Sequence, residues 1–464
     1  MTTLTVRPRV VLQGLARAPL DTLSRIFLAL ARHYNTNSNQ ILVVAGDLDL
    51  DRLRGAVGRA VQKFEHVLLR LDGSGQAWLP ADVPVREAHF DGACTLRDEA
   101  FRDLLMRLSD SHRIDWRHAP ASQVFLLRSA DRQTSCVYLN SAHAAADAAS
   151  DCMLVEEIIA QYGQPRPVRP VAPYAPLQDV APTWFGLGAR VRRLMAAMWD
   201  IVCTNLSSDR GLRLPASGRY GYGPHEASAR FHTDVLPADE AEGARAAARR
   251  AGVSLNTLFS AALIRVMAAG QARERGVRLS IVVSLRSLLP AAGREDAFGN
   301  HVATCTIRKR AAADGAASLV RDLHRQVQAV KTQRLPLEVG RFELALPFLA
   351  LTPLQPFVRR AMARAQITNV CYSNPGVLKQ DFSYFGCANH PILEYTGLGC
   401  LVTPYDLMFY TTTVNGRTQL DALYRHCCVF DVAAELIRPF RASLRELVAE
   451  LSDPIGLAAE ARAA

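Results

Sequence analysis

The stretch Leu139–Asp147, with the sequence LNSAHAAAD, decides how this chain is interpreted. It begins at the end of Cys136–Leu139, an apolar, β-prone run that is typical of a buried strand. Apolar residues at helical spacing follow it, and Gly163 stands where such a helix would stop. His143 and Asp147 are therefore predicted to lie in the loop and first turn between a core strand and a helix. A rigid scaffold can hold a titrating side chain at the edge of a cavity in such a place.

The imidazole of His143 can act as a base, because it titrates near neutrality and can accept a proton from a hydroxyl or amine that attacks a carbonyl. An acidic residue four positions later, Asp147, can fix the local backbone or the tautomer of the ring. The alternative is an ordinary turn histidine beside an unrelated surface carboxylate. The HxxxD pattern alone does not decide between the two interpretations.

The composition is that of a large globular protein, with 464 residues of which 49% are hydrophobic and 21% charged. Single cores rarely grow beyond about 250–300 residues, so two lobes are expected. The ten cysteines are scattered and form no CxxC pair, which favours buried, reduced thiols. These thiols, together with the lack of an N-terminal hydrophobic region, predict a cytoplasmic location. No long uninterrupted apolar segment is present, so no membrane span is expected.

The chain is basic, with 54 Lys and Arg against 44 Asp and Glu and a formal net charge of +10. The arginines are dispersed and are not interleaved with aromatic residues as in nucleic-acid grooves, so no nucleic-acid partner is expected. A solvated, arginine-rich surface is one explanation. Attraction of an acidic partner, such as a coenzyme phosphate or an acidic carrier domain, is the other. The total charge does not separate them.

Helical and β-prone segments alternate without a strict βαβ rhythm, which predicts an α/β fold with mixed sheets. The predicted strands are 40–44, 123–127, 136–139, 229–236, 280–285, 301–307, 367–372, 402–409 and 418–424. The predicted helices are near 26–30, 49–64, 97–108, 152–162, 182–204, 255–269, 316–333, 357–364 and 432–451. Asp49 and Ser254 are the predicted N-caps of two of these helices.

The expected domain organisation is an N-terminal lobe, a connection and a C-terminal lobe. Residues 1–181 form the first lobe and include a proline-rich linker from residue 164, where six prolines between 165 and 182 exclude regular structure. Residues 182–226 form a crossover helix and a mobile connection, and residues 227–464 form the second lobe.

The crossover helix is predicted to be basic and amphipathic, with Arg190, Arg192 and Arg193 flanking an apolar side. This apolar side consists of Leu187, Val191, Leu194, Met198 and Val202. Such a helix can lie on a membrane, but packing across two lobes is the commoner use, and we expect it here.

Seven segments, taken in chain order, carry a resemblance to a known superfamily. They are Gly46–Leu53, Arg113–Trp116, His143–Asp147, Gly252–Leu258, Ser284–Pro290, Gly299–Asn300 and Thr368–Gly376. Together they resemble the chloramphenicol acetyltransferase-like superfamily, which includes nonribosomal peptide condensation domains and stand-alone acyltransferases for polyketide alcohols and waxes. The resemblance covers most of the chain.

The sequence also departs from the pattern of this superfamily. Many members have HHxxxDG, whereas Ala142 replaces the first His here and Ala148 replaces the Gly. The DFGWG motif of the plant branch is absent, and Asp381–Gly386 resembles it only distantly. These departures favour the bacterial stand-alone enzymes over the plant branch.

The resemblance implies two chloramphenicol acetyltransferase-like lobes, each with a mixed sheet and helices, that form a V with a central tunnel. His143 would lie at the middle of the tunnel as the general base, without a covalent acyl-enzyme. Asp147 would be structural and would pair with Arg286 across the lobes, holding His143 in its working orientation.

Three further residues are candidates for lining the tunnel or stabilising an oxyanion, and they are Asn300, Ser373 and Asn374. Turn formation is the alternative role for all three. His426 and the adjacent Cys427 and Cys428 lack zinc-ligand spacing, so no metal site is expected.

The resemblance implies an acyltransferase that moves an acyl group from a coenzyme A or phosphopantetheinyl carrier-protein thioester to a hydroxyl or amine. The product would be an ester or amide in polyketide, nonribosomal peptide or lipid-like natural product biosynthesis. No bound cofactor is expected, and the expected partners are an acyl or peptidyl carrier protein and a small-molecule acceptor. One alternative is a catalytically silent, condensation-like module that recruits or scaffolds a synthetase partner, and another is hydrolysis or epimerisation. The presence of His143, Asp147 and Arg286 favours the acyltransferase.

Overall fold

The computed structural model describes most of the chain, with gaps. The described residues are 22–32, 34–71, 78–80, 82–171, 187–206, 210–211, 229–269, 277–289, 294, 296–309, 315–334, 370–402, 405–425 and 431–452. The predicted helix at 357–364, the residues 426–428 and most of the predicted mobile connection lie outside them.

The described strands and helices are numbered in chain order. The strands are β1 Asn37–Ala45, β2 Leu69–Leu71, β3 Trp78–Pro80, β4 Val85–Phe90, β5 Ser122–Ser129, β6 Thr134–Ala142, β7 Arg210–Gly211, β8 Ala229–Leu236, β9 Val277–Ser284, β10 Val302–Lys309, β11 Val370–Val377, β12 Ile392–Leu398, β13 Leu407–Val414 and β14 Arg417–Arg425. The α-helices are α1 Thr22–Ala31, α2 Leu50–Lys63, α3 Glu99–Ser111, α4 Ala148–Gly163, α5 Leu187–Leu206, α6 Ala238–Arg250, α7 Leu255–Ala269, α8 Ala316–Ala329 and α9 Arg438–Glu450. Two π-helical turns, Val330–Arg334 and Ala433–Ile437, continue α8 and precede α9.

The chain divides into two compact units. The first consists of Met1–Arg190, Ser284–Val302 and Val377–Val402, and the second of Val191–Val283, Ala303–Gly376 and Thr403–Ala464. Each unit is therefore built from segments that are far apart in the sequence. The contiguous lobes and the V with a central tunnel stay predictions.

Two sheets of mixed direction form the framework, which confirms the predicted α/β class. The sheet of the first unit has the order β12-β1-β6-β5-β4, and its strands pair antiparallel except for the parallel pair β4–β5. The other sheet has the order β10-β9-β11-β13-β14-β8. In it β9 and β11 are parallel, whereas β13–β14 and β14–β8 are antiparallel.

Local sequence signals place several of these elements. The Asp49 carboxylate accepts a hydrogen bond from the Arg52 backbone N–H at 2.7 Å, which caps α2 as predicted. The Ser254 hydroxyl accepts one from Thr257 N–H at 3.2 Å at the start of α7, also as predicted. Asn415 and Gly416 both have positive φ, which fits the tight turn between β13 and β14.

Six of the described elements were not predicted, namely β2, β3, β4, β7, β12 and α6, and several strands, β11 and β13 among them, were predicted at shifted bounds. Strands β4 and β12 have no clean apolar alternation, and α6 buries only alanines on its inner side. The strand predicted at 402–409 is β13, which begins at Leu407 and extends to Val414.

The prediction for the apolar side of the crossover helix is wrong. In α5 the side chains of Leu187, Val191 and Met198 are at least half exposed, whereas Arg193 and Ala197 are buried. Among the described side chains between Leu187 and Trp199, the buried face is narrow and centred on Arg193 and Ala197, and the side chain of Val202 lies outside the described residues. No single described helix is long and apolar enough to cross a membrane.

The C-terminal end of α4 is held from two sides. The Arg52 guanidinium donates to the carbonyl oxygens of Tyr162 at 2.6 Å and Gly163 at 3.0 Å. The backbone of Gly386 lies so close to Gly163 that a Cβ on Gly163 would be 2.1 Å from the Gly386 carbonyl oxygen. These contacts fix the direction of the helix whose other end carries the HxxxD loop.

Candidate active site

His143 lies directly after the last residue of β6, in the turn that leads to α4. Its backbone N–H donates to the Thr36 carbonyl at 3.0 Å, and the Ser24 hydroxyl donates to the Ala144 carbonyl at 2.8 Å. Beneath the turn, Trp116 is fully buried in a cluster with Ala144 and its neighbour Ala145. The loop is therefore held by hydrogen bonds above a packed apolar base.

The imidazole of His143 stacks on the ring of Phe27, with ring centroids 4.5 Å apart and planes 14° from parallel. Burial lowers the pKa of His143 below its usual 6.5, against the opposing effects of nearby backbone groups and Asp147. Its Nδ1 is enclosed and has no well-aligned hydrogen-bond partner among the described residues. Burial therefore favours the uncharged form of the ring, which is the form that can accept a proton.

The carboxylate of Asp147 is 1% exposed and forms a bidentate pair with Arg286. Arg286 Nη1 donates to Oδ2 at 2.5 Å, and Nη2 donates to Oδ1 at 2.8 Å. Burial alone would raise the pKa of Asp147, but the charge and hydrogen bonds of Arg286 outweigh it and leave the pKa at about 2. Both residues belong to the first unit, so the pair lies within that unit and does not join the two lobes as expected.

Asp147 is also the N-cap of α4 and the anchor of a neighbouring segment. Its Oδ1 accepts from Ser150 N–H at 3.0 Å, and its Oδ2 accepts from His301 N–H at 3.0 Å. The Ser150 hydroxyl donates to the Gly299 carbonyl at 2.8 Å and accepts from Gly299 N–H at 3.0 Å. A single carboxylate therefore fixes the start of α4, the Arg286 side chain and the backbone at Gly299–His301.

Asn300 lies in the segment that Asp147 and Ser150 hold. Its side chain is fully buried, and neither amide atom has a hydrogen-bond partner within the described parts of the chain. A buried amide without partners is costly, so it is a candidate for binding a ligand group. Its prediction as a tunnel or oxyanion residue stays open.

Ser373 and Asn374 lie on β11, in the second unit. The Asn374 amide donates to the Tyr372 hydroxyl at 3.2 Å and accepts from Gly376 N–H at 2.7 Å. These local contacts match the turn-forming role that the sequence left open for Asn374. The structure does not assign either residue to the site of His143.

Asp151 was missed by sequence reasoning, because a lone acid in an apolar helix gives no signal of its environment. Its side chain is fully buried, and the Ser38 hydroxyl donates to its Oδ2 at 2.5 Å. Burial raises the pKa of Asp151 to about 7, against the opposing effect of the Ser38 and Ser141 hydroxyls. Phe27 was also missed, since nothing in the sequence links it to His143.

The nearby thiols are poor nucleophiles. Burial raises the pKa of Cys152 to about 12 and that of Cys136 well above its usual value. The described residues contain no group of three His, Cys, Asp or Glu side chains placed to hold a metal ion. The chemistry that these residues offer is that of a neutral imidazole base.

No family model matches the chain, and no curated protein matches it. Solved structures do match it over nearly its whole length. The condensation domain of the Monacolin K polyketide synthase MokA is 15% identical, with a TM-score of 0.69 over 95% of this chain and 98% of that one. Trichothecene 15-O-acetyltransferase from Fusarium sporotrichioides is 12% identical, with a TM-score of 0.69 over 96% and 99% of the two chains.

A third similar structure is the starter condensation domain of rhizomide synthetase, determined with C8-CoA and Leu-SNAC. It is 15% identical, with a TM-score of 0.67 over 95% of this chain and 96% of that one. The chain therefore has the fold of these condensation domains and of this O-acetyltransferase. This agrees with the fold class that the HxxxD loop and its accompanying segments predict.

Proposed function

We propose that the protein is an acyltransferase in which His143 is the general base. The observation that carries the proposal is the placement of the His143 imidazole, held directly after a core strand by the backbone hydrogen bond to Thr36 and by stacking on Phe27. A base must be unprotonated at working pH, and burial favours that form. The fold supports the proposal, because the similar structures include condensation domains and an acetyltransferase.

In the proposed reaction, the imidazole removes the proton of an acceptor hydroxyl or amine as that group attacks the thioester carbonyl. The tetrahedral intermediate then collapses, the C–S bond breaks, and the imidazolium returns its proton to the leaving thiol. The reaction needs no acyl-enzyme, in keeping with the high pKa of Cys136 and Cys152. Proton transfer from a well-placed base contributes about 10²–10⁴-fold.

Asp147 acts as a positioning residue in this proposal. Both of its oxygens are occupied by Arg286 and by the backbone N–H groups of Ser150 and His301. It is therefore committed to the backbone around the loop, and it does not serve as a second base. The Asn300 amide is proposed to donate a hydrogen bond to the developing oxyanion, since this buried amide lacks a partner among the described residues.

The proposed donor is an acyl thioester on coenzyme A or on a phosphopantetheinyl carrier protein, with no other cofactor. The acceptor is a small molecule with a hydroxyl or an amine, and the product is an ester or an amide. One similar structure is an O-acetyltransferase and another was determined with C8-CoA and Leu-SNAC, which supports both acceptor classes. We place the reaction in polyketide, nonribosomal peptide or lipid-like natural product biosynthesis, in the cytoplasm, with an acyl or peptidyl carrier protein as partner.

The experiment is detection of acyl transfer by intact mass. Acyl-coenzyme A and acyl-carrier donors are offered with a panel of alcohols and amines to the wild type, His143→Ala and His118→Ala. His118 is an exposed histidine and serves as the matched control. The wild type and His118→Ala should form product, and His143→Ala should lose at least about 10²-fold in rate.

Other outcomes would identify the alternatives. If a folded His143→Ala variant kept the wild-type rate, His143 would not be the general base. Absence of turnover, with stable capture of the carrier by both the wild type and His143→Ala, would favour a recruiting module. Release of free acid without any acceptor would favour hydrolysis, and inversion of a carrier-bound aminoacyl centre would favour epimerisation.

A further inference from the structure

Helix α5 exposes a row of large apolar side chains. The α5 stripe consists of Leu187 at 81% exposure, Val191 at 52%, Met195 at 61%, Met198 at 50% and Trp199 at 70%. On the opposite side Arg193 is 5% exposed and Ala197 is fully buried. Between Leu187 and Trp199 the helix thus turns one charged residue inward and several large apolar residues outward, the reverse of an ordinary surface helix.

The spacing of the α5 stripe makes it continuous. Leu187, Val191, Met195 and Trp199 are each four positions apart and Met198 lies three positions after Met195, so all five lie on one side of a helix with 3.6 residues per turn. From Leu187 to Trp199 the stripe is about 18 Å long at 1.5 Å per residue. The other large apolar residues that are exposed in the described parts of the chain lie apart on strands and loops: Val235, Val377, Tyr384 and Leu393. Continuous exposed apolar patches mark interaction sites, whereas scattered single residues need no explanation.

The chemistry along the edge of the stripe favours a lipid surface. The exposed Arg192 and Trp199 are seven positions apart, which places them on the same side of the helix about two turns from each other. An indole prefers the boundary between hydrocarbon and water, and an arginine there meets anionic headgroups. The whole chain carries a net charge of +10, which attracts the same surface.

A second copy of the chain would bury about 800 Å² on each partner in a stable interface. A stripe one helix wide and about 18 Å long supplies that area only together with surface beyond the stripe. A bilayer needs no such matching area on a folded surface, since an amphipathic helix binds by sinking its apolar side about 5–10 Å below the headgroups.

We propose that the α5 stripe docks the protein on the surface of an anionic lipid bilayer. The helix lies parallel to the membrane, with Met195, Met198 and Trp199 among the acyl chains and Arg192 at the headgroups. Docking is peripheral and reversible, and it is independent of the proposed acyl transfer.

The test is sedimentation of the full chain with vesicles of phosphatidylcholine alone and of phosphatidylcholine with phosphatidylglycerol. The double variant Met195→Ser/Trp199→Ser is compared with Val377→Ser/Leu393→Ser, which removes exposed apolar side chains elsewhere. We expect the wild type and the second double variant to bind the anionic vesicles equally. The stripe variant should bind at least about tenfold more weakly, as expected when two buried apolar side chains are lost. Arg192→Gln should weaken binding to the anionic vesicles only.

Fluorescence gives a second measurement that does not depend on the amount of protein sedimented. Brominated lipids should quench part of the emission of the wild type and less of that of Trp199→Phe. Equal binding by the stripe variant and the wild type would overturn the proposal, as would failure of the wild type to bind anionic vesicles. A dimer in solution that Met195→Ser/Trp199→Ser splits, without vesicle binding, would assign the stripe to a second copy instead.

Discussion

Asp147 and Asp151 lie one helical turn apart at the start of α4, and both are buried. Burial acts on the two carboxyls in the same direction, since it raises the pKa of each. Asp147 faces the Arg286 guanidinium and has a pKa of about 2, whereas Asp151 faces serine hydroxyls and has a pKa of about 7. The partner, and not the depth of burial, decides which of them is charged at neutral pH.

Asp151→Asn is expected to stabilise the protein more at high pH than at low pH. The folded-state pKa of Asp151, about 7, is above its usual 3.8, so the folded state holds a proton that the unfolded state releases. This contribution to stability is complete below about pH 4 and is lost as the pH rises through 7. The variant lacks this loss, so its unfolding free energy relative to the wild type should rise between pH 4 and 7 and then level off.

Urea unfolding at pH 5 and pH 8 measures this difference. Since one pKa unit corresponds to about 1.4 kcal/mol, the gain of the variant at pH 8 should exceed that at pH 5 by at least about 2 kcal/mol. Asp131→Asn, at an exposed position in the β5–β6 turn, is the control and should show no such rise. A gain that is the same at both pH values would mean that Asp151 is charged in the folded state.

Asp147→Asn is expected to have the opposite dependence on pH. Its folded-state pKa, about 2, is below 3.8, so the ionised form contributes stability above pH 4 that is lost as the pH falls towards 2. At pH 7 the variant leaves Arg286 without its counter-charge and should lose about 3–5 kcal/mol. The loss should shrink below pH 4, and replacing Arg286 by Met in the same chain should recover part of it.

The rate separates the positioning role of Asp147 from a purely structural one. Under the proposed mechanism, Asp147→Asn that remains folded should show a lower kcat at little change in KM, because the loop that carries His143 is displaced. If a folded Asp147→Asn variant kept an unchanged kcat, Asp147 would not be needed to position His143. Ser150→Ala removes a hydroxyl contact of Arg286 but keeps the ion pair. Its kcat should therefore fall less than that of Asp147→Asn.

The sequence predicted His143 and Asp147 because both lie in one short loop whose flanking strand and helix have clear periodicity. Arg286 came from a resemblance, and the ion pair with Asp147 was predicted without knowing that both belong to one unit. Phe27 and Ser38 were not found, because their contacts with His143 and Asp151 join positions far apart in the chain. Periodicity within a window carries no information on such contacts.

At the scale of the element, α4 depends on a contact between two glycines at its C-terminal end. Gly386 has a φ of +78°, and a Cβ there would lie 2.5 Å from the Gly163 backbone nitrogen. Both the conformation and the contact therefore require glycine. Because Asp147 and Arg52 hold the two ends of α4, a shift at Gly163 would be transmitted along the helix towards the HxxxD loop.

Gly386→Ala is expected to destabilise the protein by more than the cost of a positive φ alone. Gly376→Ala is the matched control, because Gly376 has a φ of +87° and nothing lies within 4 Å of its added Cβ. The control should cost about 1–2 kcal/mol from the left-handed conformation. Gly386→Ala should cost at least about 2 kcal/mol more in urea unfolding, since overpacking adds to the same conformational cost. Equal losses would show that the backbone at Gly163 moves away freely.

Helices and strands with an N-cap residue or a clear apolar periodicity were predicted well. Elements that depend on pairing or packing with distant parts of the chain were not. The predictions for α2 and α7 rested on Asp49 and Ser254, whose side chains make the capping bonds. Strand β12 carries Glu394, Thr396 and Gly397 and shows little alternation, yet it pairs with β1 along most of its length. At one pair Gly397 faces Gln40, where a Cβ would lie 2.8 Å from Oε1 of that side chain. A side chain at position 397 would therefore displace the end of the Gln40 side chain, a cross-strand contact that alternation within the strand does not reveal.

For the whole molecule, the charge of +10 is spread over many arginines, and several of them are already paired. The Asp147–Arg286 pair is buried and is little affected by salt, whereas exposed arginines act at long range and are screened. The two explanations that the sequence left open, a solvated surface and attraction of an acidic partner, therefore differ in their dependence on ionic strength.

If the proposed donor is an acidic carrier protein, its reaction should be sensitive to salt, and that of a small neutral donor should not be. Raising the ionic strength from about 0.01 M to 0.15 M shortens the Debye length from about 30 Å to 8 Å. We expect kcat/KM for the acyl-carrier to fall by about tenfold, through a slower encounter. For the N-acetylcysteamine thioester of the same acyl chain, which carries no charge, kcat/KM should change less than about twofold. If kcat/KM for the acyl-carrier did not change with ionic strength, the excess arginines would form a solvated surface that takes no part in donor binding.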